Sequence, residues 1–339
     1  MERRFLKIII FASLLITSCQ QIPINESNKK FVGDNIDKQN LEIDLKKQEK
    51  IISYHSDIWS YILANSSYTS DSLDEQTLMY MNRHLQDLDK FKEFLNDSYY
   101  FIFFVIEELE NAKLPIELAF LPYIESNYDP FSISSSGAVG MWQFMPRTGR
   151  TYDLERSWWN EDRHDPFKST SAAIKYLKYL YERFDQDLYL TLAAYNAGPS
   201  FLDRQIKRNQ RRGLNTDYWS LDLPIQTRNY VPKFIAIKEL IINSDQYDIE
   251  LPFIPYEPVV AKIEIPGQVE ILTLSEYLNI KPELLYKLNA GYTKWASAPS
   301  EKSVFYIPIE QYDYFQTSEN PFLDSNQINW ISHTVESGD

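Results

Sequence analysis

Three features of the sequence predict a mainly α-helical chain with a small α+β module towards its C-terminal end. Apolar residues recur every three or four positions, as in Leu85, Leu88, Phe91, Phe94 and Leu95, and again in Phe101, Phe104, Val105 and Leu109. That is the period of a helix with one buried face. Before residue 255 no run alternates as a half-buried strand would. The composition then changes over residues 245–258, where Pro252, Pro255 and Pro258 mark a linker, and β-branched residues alternate beyond it.

The elements follow in order. Residues 1–19 open with Arg3, Arg4 and Lys7 and continue with an apolar run from Ile8 to Ile16. The run is too short to span a bilayer comfortably, and the pattern is that of a secretory signal. It ends in Ile16-Thr17-Ser18-Cys19, which carries the single cysteine of the chain. This ending resembles the lipobox of bacterial lipoproteins, which implies that Cys19 is the lipidated first residue of the mature chain. Gln20 rather than Asp follows, which in the sorting pattern of enteric bacteria implies the outer membrane, facing the periplasm. Residues 20–50 are rich in Asn, Lys, Gln, Asp and Glu with few aromatics; they cannot bury enough surface to order themselves and are expected to form a tether.

Residues 51–112 are expected to form a helical lead-in that packs on the central domain. Pro115 fits the first turn of a helix running to Glu125, which Pro122 must break or kink. Ser169 or Thr170 is expected to cap a helix with Ile174, Leu177, Leu180, Tyr181 and Phe184 on one stripe. Asp187 caps the next, which stops at Gly198-Pro199, and a further helix is expected from near Thr227 to about Asn243. After the linker the pattern reads strand at 259–265, helix at 273–279, helix at 281–289 and strand at 304–309, a module spanning 255–312. Residues 313–332 read as a second linker.

Composition narrows the function. At 339 residues the chain has room for one large domain or two smaller ones. With 34 basic against 48 acidic side chains the formal charge is −14, and a phosphate backbone would repel it, so no nucleic-acid partner is expected. The basic cluster Lys207-Arg208 with Arg211-Arg212 reads as a solvated helix face, with contact to an anionic polymer as the alternative. Nine glycines assemble no phosphate loop or dinucleotide fingerprint. His55, His84, His164 and His333 are far apart and lack metal-ligand spacing. Neither a metal nor a cofactor is expected.

The candidate chemistry centres on Glu125, within Leu121-Pro122-Tyr123-Ile124-Glu125-Ser126-Asn127-Tyr128-Asp129-Pro130. A carboxyl held against such apolar and aromatic neighbours is desolvated, which raises its pKa. An acid still protonated near neutral pH can donate to a glycosidic oxygen. The Ser- and Gly-rich loop after it carries Trp142, Gln143 and Phe144, suited to a groove where sugars lie against aromatic faces and bond to amides. The plainer reading of Glu125 is an exposed acid at a helix end. Asp129 is the rival carboxylate, but before Pro130 it reads as a turn former.

Four blocks then carry a resemblance: Glu125-Ser126; Gly140-Met141-Trp142-Gln143-Phe144-Met145-Pro146; Ala194-Tyr195-Asn196-Ala197-Gly198; and Arg228-Asn229-Tyr230-Val231-Pro232. In this order they resemble the membrane-bound lytic transglycosylases of the soluble-lytic-transglycosylase-domain family. Trp142 matches the D-type branch, which carries C-terminal LysM repeats. The resemblance runs from about residue 79 to 308 and implies a lysozyme-like helical catalytic domain over 113–245. It implies cleavage of the β-1,4 bond between N-acetylmuramic acid and N-acetylglucosamine in peptidoglycan, leaving 1,6-anhydro-muramyl ends. Ordinary glycosidases use two carboxyl groups, whereas the local sequence frames one. That fits attack by the substrate's acetamido group while Glu125 protonates the leaving oxygen and then takes the proton of the muramyl 6-hydroxyl.

By the same resemblance Ser134 aligns with a serine that contacts the glutamate or the acetamido group, a plain loop serine being the alternative. Gln143 and Met145 align with subsite residues, and Gln143 can both donate and accept. Tyr195 and Asn196 are expected to line the groove, with Tyr195 hydrogen-bonding near Glu125, and Tyr230 to lie near the catalytic centre. Trp158 and Trp159 read as core or domain packing. The module resembles a divergent LysM through Leu288-Asn289-Ala290-Gly291-Tyr292 and Tyr306-Ile307-Pro308, with a buttressing domain as the alternative. Residues 333–339 match the opening strand of a further LysM repeat and then stop, so a longer natural chain is expected. Two rivals remain: a goose-type lysozyme-like hydrolase, and a non-catalytic peptidoglycan-binding lipoprotein that has no need of the acid.

Overall fold

The computed structural model describes residues 57–66, 73–300, 302–317 and 320–323. The expected signal with Cys19, the tether and the repeat opening at 333–339 lie outside the described residues.

The lead-in consists of helices α1 (Ile58–Asn65), α2 (Glu75–Leu85), α3 (Leu88–Asn96) and α4 (Ile102–Ala112). Asp57, Asp74 and Asp87 begin the first three, each accepting bonds from backbone N–H groups of the first turn, groups that otherwise have no helical partner. The proline-rich segment expected as a linker is pinned to α1. The Ile58 N–H donates to the Ile254 carbonyl at 2.8 Å, the Trp59 indole to the Pro252 carbonyl at 2.6 Å, and Tyr61 stacks on Tyr256 at 3.9 Å. Prolines lack the N–H that a helix or sheet would use, but their carbonyls still accept, and Ile254 is fully buried.

Of the break or kink expected at Pro122, the structure has the break: a 3₁₀ turn at Ile116–Phe120, preceded by Pro115, is followed by α5 at Leu121–Glu125, with Pro122 in the first turn of α5. After α6 (Pro146–Thr151) comes α7 (Pro166–Arg183), which Asp165 caps through Phe167 and Lys168. Ser169 and Thr170, expected as caps, lie inside α7 and bond back to the Asp165 and Pro166 carbonyls. Pro166 at the first helical position fixes the start there, before either residue. Asp187 caps α8 (Leu188–Ala197), and Gly198, at φ 85°, ends α8 and starts α9 (Pro199–Arg211). Lys207, Arg208, Arg211 and Arg212 are exposed along and beyond the last turns of α9. The expected helix from Thr227 is divided into α10 (Ile225–Arg228) and α11 (Tyr230–Ile242). The helix α11 buries residues on every side, Phe234, Ala236 and Leu240 among them, and packs against α2, α5 and α8, the behaviour of a central helix.

The C-terminal module has the predicted order: β1 (Val260–Pro266), α12 (Ile271–Tyr277), α13 (Pro282–Leu288) and β2 (Lys302–Pro308). The two strands pair antiparallel, Ile263 opposite Phe305, and alternate residues of β1 face a core shared with Leu274 and Leu285. The expected second linker starts as structure instead. Helix α14 (Tyr312–Phe315) follows β2, and Phe315 and Phe322, 1% and 2% exposed, complete the module's core. Two aromatic rings are a large apolar area to withdraw from water.

The module is seated against the helical domain. The Glu161 N–H donates to the Gly291 carbonyl and the Thr293 N–H to the Trp159 carbonyl, each at 2.8 Å, while Phe167 stacks on Tyr306 at 3.7 Å. A Cβ at Gly291 would stand 2.8 Å from the Asp165 Cβ, so only glycine allows this approach. Trp158 is not in the core: it is 72% exposed, with Lys294 over its ring at 3.9 Å.

Candidate active site

The site is built where α5 ends. Tyr123, on α5, donates to the Leu95 carbonyl at 2.8 Å and anchors the helix on α3. Immediately after Glu125 the chain reverses through Asn127 and Tyr128, both left-handed at φ 59° and 56°. For a residue as bulky as tyrosine this is a strained conformation. Full burial of Tyr128 and its 2.6 Å bond to the Ala119 carbonyl hold it there. The reversal brings the next loop back across the helix end, where the Ser126 hydroxyl donates to the Met141 carbonyl at 2.8 Å. Gly140, at φ 80°, lies against the Arg163 backbone, where a Cβ would meet the carbonyl oxygen at 1.8 Å. Arg163 in turn donates to the Phe144 carbonyl at 3.0 Å and is clamped by Glu161.

The aromatic residues of this loop do not face a groove. Trp142 and Phe144 are 0% and 2% exposed, so neither offers a face to a sugar. Trp142 is a structural hub: its indole donates to Thr170 on α7, and its carbonyl accepts from Tyr195 on α8, both at 2.8 Å. Gln143 is left-handed at φ 49°, and its amide donates to the Gly140 and Ser132 carbonyls. Met145 is exposed beside it. Ser134 closes its own loop, its hydroxyl accepting from the Ala138 N–H at 2.9 Å.

Glu125 itself is bonded by Tyr230, the first residue of α11, whose hydroxyl donates to Oε1. The surrounding protein desolvates the carboxyl and pushes its pKa up from 4.5 to about 7, against the opposing pulls of the Tyr230 bond and the Lys233 charge. Half of such groups are therefore neutral near pH 7, able to give up a proton and then to take one. Burial, and after it the nearby Glu125 charge, pushes the Tyr195 and Tyr230 hydroxyls well above their ordinary range, so both are protonated donors. Asp129 is exposed and accepts from the Phe131 N–H, the turn role expected of it.

Of the residues singled out in the sequence, Glu125 and Tyr230 are joined directly. Tyr195 senses Glu125 electrostatically, although its hydrogen bond goes to Trp142. Asn196 accepts from Thr227 at 2.9 Å and ties α8 to α10. Lys233 carries no role in the sequence reading, Ser126 enters it only as part of the Glu125-Ser126 block, and Thr170 only as a candidate cap. Lys233 lies three positions after Tyr230, hence on the same face of α11, which is the signal that could have found it. Among the described residues no His, Cys, Asp and Glu side chains gather as a metal site requires.

Residues 104–217 match the model of the transglycosylase SLT domain. The chain is 30% identical over 305 residues to membrane-bound lytic murein transglycosylase D of Escherichia coli strain K12, an alignment covering 85% of this chain and 66% of that protein, just under two thirds. It is 33% identical over 108 residues to membrane-bound lytic murein transglycosylase F of Alcanivorax borkumensis, covering 30% of this chain and 22% of that one. The crystal structure of the 70 kDa soluble lytic transglycosylase of Escherichia coli overlaps 61% of this chain and 44% of its own at 16% identity and a TM-score of 0.35, too loose a fit to bear on the fold.

Proposed function

Because this chain belongs to the transglycosylase SLT family, we propose that it is a membrane-bound lytic transglycosylase acting on peptidoglycan. It cuts the β-1,4 bond between N-acetylmuramic acid and N-acetylglucosamine and leaves 1,6-anhydro-muramyl ends. The observation that carries the proposal is the desolvated carboxyl of Glu125, held by the Tyr230 hydroxyl and poised at a pKa of about 7.

The steps follow from that poise. Neutral Glu125 protonates the glycosidic oxygen as the bond to the anomeric carbon breaks. The substrate's acetamido oxygen supplies the electrons at that carbon, the part a second carboxylate plays in ordinary glycosidases. Ionised Glu125, its charge eased by the Tyr230 bond and Lys233, then removes the proton of the muramyl 6-hydroxyl. That oxygen displaces the acetamido group, closes the anhydro ring and returns Glu125 to its neutral form. Ser134, Gln143, Met145, Tyr195 and Asn196 belong to the glycan-facing surroundings in this reading, Gln143 and Ser134 by shaping the loop. Lipidated Cys19 would hold the enzyme in the cell envelope, at the outer membrane facing the periplasm. The test is digestion of purified peptidoglycan followed by mass spectrometry. Products lighter by one water than those of a lysozyme support the lyase, and loss of all cleavage in Glu125→Gln places the proton on that residue.

A further inference from the structure

An unassigned cavity of about 460 Å³ lies in the seam between helical domain and module, within the range of about 300–1,000 Å³ usual for ligand sites and at the domain junction where such sites concentrate. Glu125 does not line it. Its inner wall accepts: Asp162 is 7% exposed, Asp165 is half-buried, and the Oδ1 of Asn160 is buried with no hydrogen-bond partner. Its rim is cationic, formed by Lys168, Lys262 and Lys302, whose side chains are 52%, 55% and 61% exposed. Lys168 is held by the buried Asp162, whereas Lys262 and Lys302 share the exposed Glu264, a surface pairing that contributes little and exchanges partners readily. A second hollow of about 250 Å³ continues the trough past Tyr306 and Lys262 to Phe104 and Phe167.

We propose that this seam binds the peptide stem of peptidoglycan: the acceptor-rich wall takes the stem's ammonium group and amides, and the lysine rim takes its carboxylates. The assignment rests on the reading of the substrate as peptidoglycan and extends it from glycan to peptide. A neutral saccharide would leave both sets of charges unanswered, whereas a stem ending in a diamino acid carries both signs. An orphan buried acceptor costs free energy until a donor reaches it, which a bound ammonium or amide would supply. The seam is coupled to the catalytic loop through α7, which is capped by Asp165 in the cavity wall and holds Trp142 through Thr170.

The experiment uses the full mature chain carrying Glu125→Gln, so that ligands are not consumed, and titrates it calorimetrically with a synthetic stem tripeptide ending in a diamino acid. Glycan freed of its stems is titrated in parallel. The tripeptide should bind, the double variant Lys262→Glu with Lys302→Glu should weaken it at least tenfold, and Asn160→Ala about threefold or more. Both lysines are exposed, and a thermal melt checks that the variants stay folded. Stem-free glycan should bind all these proteins equally. No tripeptide binding, or binding indifferent to the charge reversal, overturns the stem site. Failure of the unmutated enzyme to cleave stem-free glycan would count instead against the catalytic reading, so the two can fail separately.

Discussion

Replacing Glu125 by glutamine should abolish cleavage and, at the same time, stabilise the protein in a pH-dependent way. In the folded protein the carboxyl has its pKa raised from 4.5 to about 7, so the folded state holds this proton more tightly than the unfolded chain does. Below pH 4.5 both states are protonated and the group contributes its full relative stability. As pH rises through 7 the unfolded chain has already ionised at no cost, whereas the folded protein must place a charge in a desolvated site, and stability falls. At ~1.4 kcal/mol for each tenfold change in proton affinity, the rise sets a ceiling of about 3–4 kcal/mol, which residual solvent exposure lowers. Glutamine does not titrate. The stability difference between Glu125→Gln and the unmutated protein, measured by urea unfolding at a series of pH values, should therefore grow by about 2–3 kcal/mol in favour of the variant between about pH 4 and pH 8. A difference that stays flat across that range would show that the carboxyl is not desolvated and would remove the basis for its acid role.

The same geometry sets three further outcomes. Tyr230→Phe removes a bond that favours the ionised carboxylate; at ~1.5–3 kcal/mol for a charge-assisted bond, and towards the low end at a partly open site, the alkaline fall of kcat/KM should move up by about one pH unit, and an unmoved limb would break the pairing. Phe322→Ala should destabilise the C-terminal module by about 3 kcal/mol, as a large core truncation does, visible in its unfolding transition; no effect would restore residues 313–332 to the status of a linker. Cys19→Ser should release the protein from the membrane fraction, since the lipid is the expected anchor, and persistence there after a salt wash would contradict the lipobox reading.

Wherever a local rule decides the structure, the sequence makes it legible. Asp187 before α8, Gly198 after it and the strand–helix–helix–strand order of the module all rest on caps and periodicity, and the desolvation of Glu125 follows from its apolar neighbours. Tertiary contact decides the rest. Trp142 and Phe144 lie in a loop without period, so nothing local says which way their rings point, and it is Thr170, 28 positions away, that draws the indole inward. Asp165, Ser169 and Thr170 are equally good caps by composition, and Pro166 is the signal that decides between them. The burial of Phe315 and Phe322 depends on a core assembled from β1, α12 and α13, which residues 313–332 taken alone do not reveal.

In the proposed mechanism the muramyl 6-hydroxyl, not water, is the nucleophile that Glu125 activates. Digestion of peptidoglycan in oxygen-18 water by residues 20–339 probes that step without intermediaries. The new ends should carry no label and weigh one water less than lysozyme products, and oxygen-18 in reducing ends as the major product would contradict the mechanism.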